Sequence, residues 1–353
     1  MKKVFTISTA AAVLLILLGG IFGVLKFIGI NKSGPVFQKG MCYTTWSKVA
    51  YSSSSSDKSL EKLKAVNAEW VAVITTWYQD NCFSTDIFPT SKTPSDESVI
   101  HAIDKAHSLG FKVMLKPHLD LLSVKAGGWR GEITCVRETD WEKWFDSYRK
   151  FILHYAKIAN EKKVEMLCVG TELTGSTADH PEQWREIIKA VRKAYRGKLV
   201  YAANWQDEYL QIRFWDALDY AGIDAYFPLS GKERPSYEEL VQAWERWVPE
   251  IENWQNRIQK PVIFPEIGYR SSISAASQPW EHVPGPAVDL ELQRDCYKAI
   301  VDTFWDKEWF YGAYWWSWGT DERMGGNFNR GFTPQNKPAQ DYIEELYKKR
   351  INK

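Results

Sequence analysis

The stretch Glu165-Met-Leu-Cys-Val-Gly-Thr-Glu172 is one of eight short runs that determine the fold of this chain. Its continuous apolar residues are typical of a buried strand, and a polar residue stands at its end. Seven further runs of the same kind occur along the chain: Gly40–Thr45, Trp70–Trp77, Lys112–His118, Leu199–Trp205, Tyr220–Phe227, Pro261–Ile267 and Tyr311–Trp318. The even spread of these runs predicts eight strands.

Longer amphipathic segments lie between the runs and predict helices. Thr139 with Glu142, and Ser236 with Glu239, have the spacing of capping boxes at helix starts. Strand–helix alternation favours parallel βαβ units, and eight units predict a single α/β domain, a (β/α)8 TIM barrel over residues 36–350. A doubly wound open sheet would favour a glycine-rich phosphate loop after the first strand, which Gly40-Met-Cys-Tyr-Thr-Thr-Trp46 does not resemble.

The N-terminal residues 1–35 are predicted to lie outside the barrel. Lys2 and Lys3 precede 22 uncharged residues, Val4–Leu25, which are long enough to form a hydrophobic helix across a bilayer. A signal anchor is the favoured interpretation, since the chain lacks a convincing cleavage site after the apolar run; a cleaved signal peptide is the alternative. Both predict export, with the barrel outside the cytoplasm and either attached to the membrane or secreted.

Composition excludes several classes of function. Lys and Arg number 45 and Asp and Glu 44, so the near-neutral balance gives no electrostatic basis for a nucleic-acid partner. There is neither a CxxC pair nor an HExxH motif, so no metal site and no cofactor are predicted. The 18 Trp, 17 Tyr and 16 Phe fit a large core or a cleft whose rings stack on sugars.

The five cysteines differ in their predicted surroundings. Cys42 and Cys168 lie in strand-like runs and are predicted to be buried, and Cys296 lies in a helical segment. Cys82 and Cys135 fall in loops and could form a disulfide if those loops adjoin, because export permits disulfides.

Two of the runs end in glutamate. In a barrel of this type, functional side chains lie at the C-terminal ends of the strands. Strict alternation places Glu172 on the face of Cys168, and Glu266 on the face of Val262 and Phe264. Burying a glutamate at the end of an apolar strand costs free energy unless its side chain has a partner or a function. A structural ion pair in the core would be one such partner. A pair of carboxyl groups across a barrel mouth is also what glycoside hydrolysis requires.

Six motifs, in order along the chain, resemble glycoside hydrolase family 113, a β-mannanase family of clan A. They are Trp129-Arg-Gly-Glu132, Val169-Gly-Thr-Glu172, Gly222-Ile-Asp-Ala-Tyr-Phe-Pro228, Pro265-Glu-Ile-Gly-Tyr269, Tyr314-Trp-Trp-Ser-Trp318 and Gly331-Phe-Thr-Pro-Gln-Asn-Lys-Pro338. The resemblance covers roughly residues 38–345.

This resemblance implies a retaining hydrolase that acts on β-1,4-linked mannose polymers. Glu172 matches the acid/base of the family, Glu266 its nucleophile, and Tyr226 a residue that contacts the nucleophile. Many clan members carry Asn before the acid/base, where this chain has Thr171. That departure weakens the analogy with glucan-cleaving families.

The remaining candidate substrate-binding residues come from the other strand ends. Lys116 and His118 share a face of the third run, Asn204 ends the fifth, and Trp316 is the predicted platform under the reactive sugar. Trp46, Trp77 and Trp205 are each interpreted as a wall of the cleft or as core. Arg130 and Glu132 are expected to shape the loop after the third run, and Trp141 and Trp144 to pack a helix against the barrel.

Three alternative functions remain open at this stage: a β-glucanase, an exo-β-mannosidase on the same scaffold, or a carbohydrate-binding barrel without catalysis. The predicted partners are a polysaccharide or oligosaccharide substrate and, through the N-terminal segment, a membrane. The protein is predicted to be monomeric.

Overall fold

The computed structural model describes residues 34–123, 128–283 and 285–350. Its strands form one closed barrel in sequence order, with β8 paired to β1 and every neighbouring pair parallel. The strands are β1 Gln38–Thr44, β2 Trp70–Gln79, β3 Lys112–Leu121, β4 Met166–Thr171, β5 Lys198–Asn204, β6 Tyr220–Asp224, β7 Val262–Ile267 and β8 Phe310–Gly319. The predicted (β/α)8 fold is confirmed.

Helices lie between successive strands and close the barrel from outside. The α-helices are Ser54–Ala65, Asp96–Ser108, Glu138–Glu161, Thr174–Thr177, Pro181–Ala194, Glu208–Gln211, Tyr237–Ile258, Leu290–Phe304 and Pro338–Lys348. Short 3-10 turns occupy Ala50–Ser52, Arg130–Glu132 and Trp215–Ala217. The predicted capping box of Ser236 and Glu239 is present. The one at Thr139 is wrong, because that helix begins two residues earlier, with Arg137 as its N-cap.

The hydrophobic core has two parts, as the alternation of side chains along buried strands requires. One cluster fills the barrel and includes Ala72, Met114 and Cys168. The larger cluster lies between strands and helices, where neighbouring residues of the same strands, such as Val73, point outward. The helix Glu138–Glu161 buries Trp141 and Trp144 in this outer layer, as predicted.

Strand β7 departs from strict alternation. Val262 and Phe264 belong to the outer layer, whereas Ile263 belongs to the interior cluster. The register of β7 with β8 then shifts between Phe264 and Ile267, and Glu266 lines the cavity described below. The expectation that Glu266 shares a face with Phe264 and Val262 is therefore wrong. The irregular register turns the strand between them.

All five cysteines are free thiols. Cys42 and Cys168 are fully buried, as predicted, and so is Cys296 in its helix. The loops that carry Cys82 and Cys135 do adjoin, because the Thr134 backbone N–H donates to the Cys82 carbonyl at 2.9 Å. No disulfide joins them, however, and each half-buried side chain packs against the outer core.

The apolar segment Val4–Leu25 lies outside the described residues. Within residues 34–123, 128–283 and 285–350, none of the helices is both long and apolar enough to cross a membrane.

Candidate active site

A cavity of about 440 Å³ opens at the C-terminal ends of the strands. Each of six strands delivers one predicted site residue to its wall: His118, Glu172, Asn204, Tyr226, Glu266 and Trp316. Two further predicted residues, Lys116 and Trp46, do not line it. The wall is completed by Trp129, Arg130, Trp205, Gln206, Trp280, Glu281, His282 and Phe332.

Three side chains contact the carboxyl group of Glu266. Its Oε1 forms an ion pair with the Lys116 ammonium and lies 3.1 Å from His118 Nε2. Its Oε2 accepts a hydrogen bond of 3.1 Å from the Tyr226 hydroxyl. Burial alone would raise the pKa of Glu266, but the positive charge of Lys116 and the contact with His118 outweigh burial and lower it. These contacts therefore favour the carboxylate form of Glu266.

Lys116 lies beneath the cavity and bridges two carboxylates. Its Nζ is 3.2 Å from both oxygens of Asp224, and the side chains of both residues are fully buried. Burial and then the charge of Glu266 raise the pKa of Asp224 well above its ordinary value. Because a buried ion pair is worth most where its geometry fixes another group, this arrangement fits a role in orienting Glu266 rather than in touching substrate.

Glu172 has different surroundings. It follows β4 with a left-handed backbone, φ 53°, which is uncommon for a residue with a side chain and is found at functional sites. Asn204 Nδ2 donates a hydrogen bond of 2.9 Å to its Oε1, and Arg130 lies 3.7 Å from its Oε2. Burial raises its pKa, Arg130 opposes this, and the charge of Glu266 adds to the rise. The two glutamates are thus driven toward opposite protonation states.

His118 is a neutral side chain that lies between Glu266 and the ring of Trp316. Burial lowers its pKa to about 4. Arg130 lies within 3.5 Å of Nδ1, which places the proton of the neutral ring on Nε2, facing Glu266. The imidazole stacks on Trp316 with ring centroids 6.0 Å apart and planes 8° from parallel.

Aromatic rings form part of the cavity wall. Trp205 and Trp280 stack with centroids 5.2 Å apart. Trp46, 48% exposed, lies outside this lining and packs edge-to-face on Trp316, with ring centroids 6.4 Å apart. Trp77 does not belong to the cleft; it packs against the helix Glu138–Glu161, so of its two predicted places the core is the correct one.

This geometry can be compared with known proteins. The sequence profile described as Glycoside Hydrolase Family 113 matches residues 41–337. The chain belongs to glycoside hydrolase family 113. As a member of this clan A family it is a retaining glycoside hydrolase.

Solved structures of family 113 agree with this assignment. A complex structure of a GH113 β-1,4-mannanase is 30% identical, with a TM-score of 0.80, over 89% of this chain and 100% of that one. The GH113 β-mannanase AaManA from Alicyclobacillus acidocaldarius, in complex with ManMIm, is 28% identical, with a TM-score of 0.79, over 89% and 97%. The β-glucuronidase of Ruminococcus gnavus shares only the fold, at 14% identity, a TM-score of 0.57 and 50% of its own length. No curated protein matches the chain.

The site of this family 113 protein also contains residues that sequence reasoning left without a role. Asp224 ends β6 two residues before Tyr226. Regular alternation predicts one face for residues two apart, so that spacing could have indicated it. Trp280, Glu281 and His282 come from the long loop after β7, for which the chain carries no periodic signal. In the part of the chain that the structure describes, no group of three His, Cys, Asp or Glu side chains is arranged to hold a metal ion.

Proposed function

We propose that this protein hydrolyses β-1,4-mannosidic bonds in mannan-type polysaccharides, with Glu266 as nucleophile and Glu172 as acid/base. One observation carries the assignment of roles: in a single cavity the pKa of Glu266 is lowered and that of Glu172 is raised. The substrate class is supported by the two similar family 113 structures, both of β-mannanases.

In the first step the Glu266 carboxylate attacks the anomeric carbon while Glu172 donates its proton to the glycosidic oxygen. The bond between the anomeric carbon and that oxygen breaks, and a glycosyl ester forms on Glu266. Tyr226, Lys116 and His118 keep Glu266 ionised until attack, and they bind its oxygen as it leaves in the second step.

In the second step Glu172, now a carboxylate, takes a proton from water. The water oxygen attacks the anomeric carbon, the ester bond to Glu266 breaks, and both glutamates return to their starting states. Asn204 and Arg130 stabilise the carboxylate form of Glu172 that this step needs. Two inversions give net retention of configuration.

The test is product analysis on manno-oligosaccharides and cello-oligosaccharides side by side, with Glu172→Gln as the inactive control. Release of β-configured mannose products by the wild type alone supports the proposal. Preferential cleavage of the cello-series would replace it with the β-glucanase alternative, release of single mannose units would indicate an exo-β-mannosidase, and binding without turnover would indicate a non-catalytic barrel.

We also infer that the protein is exported and held at a membrane by Val4–Leu25, since Lys2 and Lys3 precede that apolar segment. We further propose that it is monomeric. Membrane fractions should retain the full chain against alkaline carbonate and release it to detergent. Recovery of a shortened chain from the medium would support a cleaved signal peptide instead. Light scattering of the detergent-released chain gives its oligomeric state.

A further inference from the structure

Glu208 is a fully buried carboxyl group behind the cavity wall that the mechanism above does not use. It lies at the start of the short helix after β5 and accepts three hydrogen bonds. The donors are the Asn204 backbone N–H at 2.6 Å, the Tyr201 hydroxyl at 2.7 Å and the Thr177 hydroxyl at 3.0 Å. Among the described residues no cation pairs with it. Burying a carboxyl group without a counter-ion costs free energy, which indicates that the group has a function.

One chain of hydrogen bonds leads from Glu208 to the carboxyl group of Glu172. Glu208 Oε2 fixes the backbone of Asn204 at the end of β5. The side chain of the same Asn204 then donates from Nδ2 to Glu172 Oε1 at 2.9 Å. The position of that amide, and with it the rotamer of Glu172, depends on the backbone that Glu208 holds.

A second chain leads from Glu208 to the backbone beside Glu172. The Tyr201 hydroxyl donates to Glu208 Oε1 and accepts from the backbone N–H of Leu173 at 2.9 Å. Leu173 directly follows Glu172, whose left-handed φ of 53° needs support from its neighbours. The two chains therefore reach Glu172 from its side chain and from its backbone, and both start at one carboxyl group.

We propose that Glu208 is a positioning residue that fixes Glu172 for proton transfer. This inference rests on the proposed role of Glu172 as acid/base. Small displacements of a catalytic group cost large factors in rate, so a buried acceptor with two routes to the same residue has a clear use. Burial raises the pKa of Glu208 to about 7, and the nearby charge of Glu172 is among the smaller causes, which agrees with their proximity.

Glu208→Gln is the principal variant. Three donors converge on Glu208, and an amide offers only one acceptor oxygen, so at least one of the two chains loses its bond. Tyr201→Phe interrupts the second chain alone and leaves the bond from Glu208 to Asn204 in place. Glu250→Gln is the matched control, because Glu250 also accepts from a tyrosine hydroxyl, that of Tyr209, but lies on the exposed outer helix.

The readout is kcat/KM on two aryl β-mannobiosides that differ only in leaving group. Dinitrophenolate leaves without protonation, whereas phenolate needs the acid. For Glu208→Gln we expect a loss of tenfold or more on the phenyl substrate and less than threefold on the dinitrophenyl one. Tyr201→Phe should show the same pattern, and the double variant should be little worse than Glu208→Gln, since both act through one network. The control variant should change neither value.

Equal losses on both substrates, or no loss on either by folded Glu208→Gln, would overturn the inference. If Glu208→Gln does not fold, the pattern of Tyr201→Phe decides in the same way. If the wild type cleaves neither mannobioside, the proposed function has failed, and the crystal structures of the variants then decide about Glu208. A contact between Asn204 Nδ2 and Glu172 Oε1 that stays near 2.9 Å in Glu208→Gln contradicts positioning, and a contact lengthened beyond 3.5 Å supports it.

Discussion

Glu172 and Glu266 line one cavity and have pKa values shifted in opposite directions. The difference does not come from burial, since both side chains are buried. It comes from their partners. Lys116 contacts Glu266 directly, whereas Arg130, which pairs with Glu172 in the described part of the chain, stands 3.7 Å away. A single cavity thus contains one carboxyl group prepared to hold a proton and one prepared to remain charged.

The first prediction concerns the alkaline limb of the pH profile. Glu172 must be protonated for the first step, so kcat/KM has its full value below the pKa of Glu172 and falls as the pH rises through that pKa. Asn204→Ala and Arg130→Met each remove a group that lowers this pKa. In both variants we expect the alkaline limb of kcat/KM to move to higher pH, along with a lower maximum. Arg137→Met, an exposed arginine paired with Asp140, is the control and should leave the limb in place.

The second prediction concerns the acid limb. Glu266 must be ionised, so activity is present above its pKa and lost as pH falls through it. Lys116→Met removes the charge that outweighs burial, so the pKa of Glu266 rises and the acid limb moves to higher pH. An unchanged acid limb in a folded Lys116→Met protein would show that Lys116 does not control Glu266.

The same lysine gives a third prediction, about stability. Removing one partner of a buried ion pair costs about 3–5 kcal/mol, because it leaves uncompensated charge. Lys116→Met leaves both Asp224 and Glu266 without their shared cation, so its free energy of unfolding should fall by about that amount. Adding Asp224→Asn removes one of the two carboxyl groups that lack a cation in this variant. The double variant should therefore be more stable than Lys116→Met alone, as denaturant unfolding would reveal; a further loss would contradict this account.

The polar strand ends were predictable from sequence, because alternation in a buried strand fixes which residues share a face. Met114, Lys116 and His118 follow this rule, and the same rule excludes Trp77 from the cleft, since Ala72 and Ile74 point inward. Alternation fails where the register shifts, as in β7.

Other features of the site carry no local signal. The contact of Lys116 with Asp224 joins residues 108 positions apart, and Trp280 comes from a long loop. Such contacts form only when the barrel closes, so the sequence of any single segment does not predict them. Asp224 could have been predicted, because it stands two residues before Tyr226, and regular alternation would place both on one face.

The fourth prediction concerns the stacked pair Trp205 and Trp280. Trp280 is 41% exposed and covers Trp205 at the cavity wall, which suits it to stack on a sugar ring beyond the point of cleavage. If a sugar ring on Trp280 gains as much as an aromatic pair, about 0.5–1.5 kcal/mol, Trp280→Ala should lower kcat/KM on mannotetraose or longer substrates roughly two- to twelvefold. Phe328→Ala, at a ring that is 94% exposed, is the control. Equal effects of the two substitutions would exclude a sugar platform at Trp280.

The last prediction assigns the two roles separately. A retaining mechanism needs the carboxyl groups of Glu172 and Glu266 about 5–5.5 Å apart, and a crystal structure with a separation near 9 Å would favour inversion.

Glu266→Ala should abolish turnover of mannan, since no glycosyl ester can form. Azide then attacks from the face opposite the leaving group, so any rescue gives the inverted α-mannosyl azide. Glu172→Ala should still form the ester from a dinitrophenyl β-mannoside, because that leaving group needs no proton. Azide attacks the ester without help from a base and gives the retained β-mannosyl azide. Proton NMR of the anomeric centre distinguishes the products, and the opposite pairing of variant and product would reverse the roles of the two glutamates.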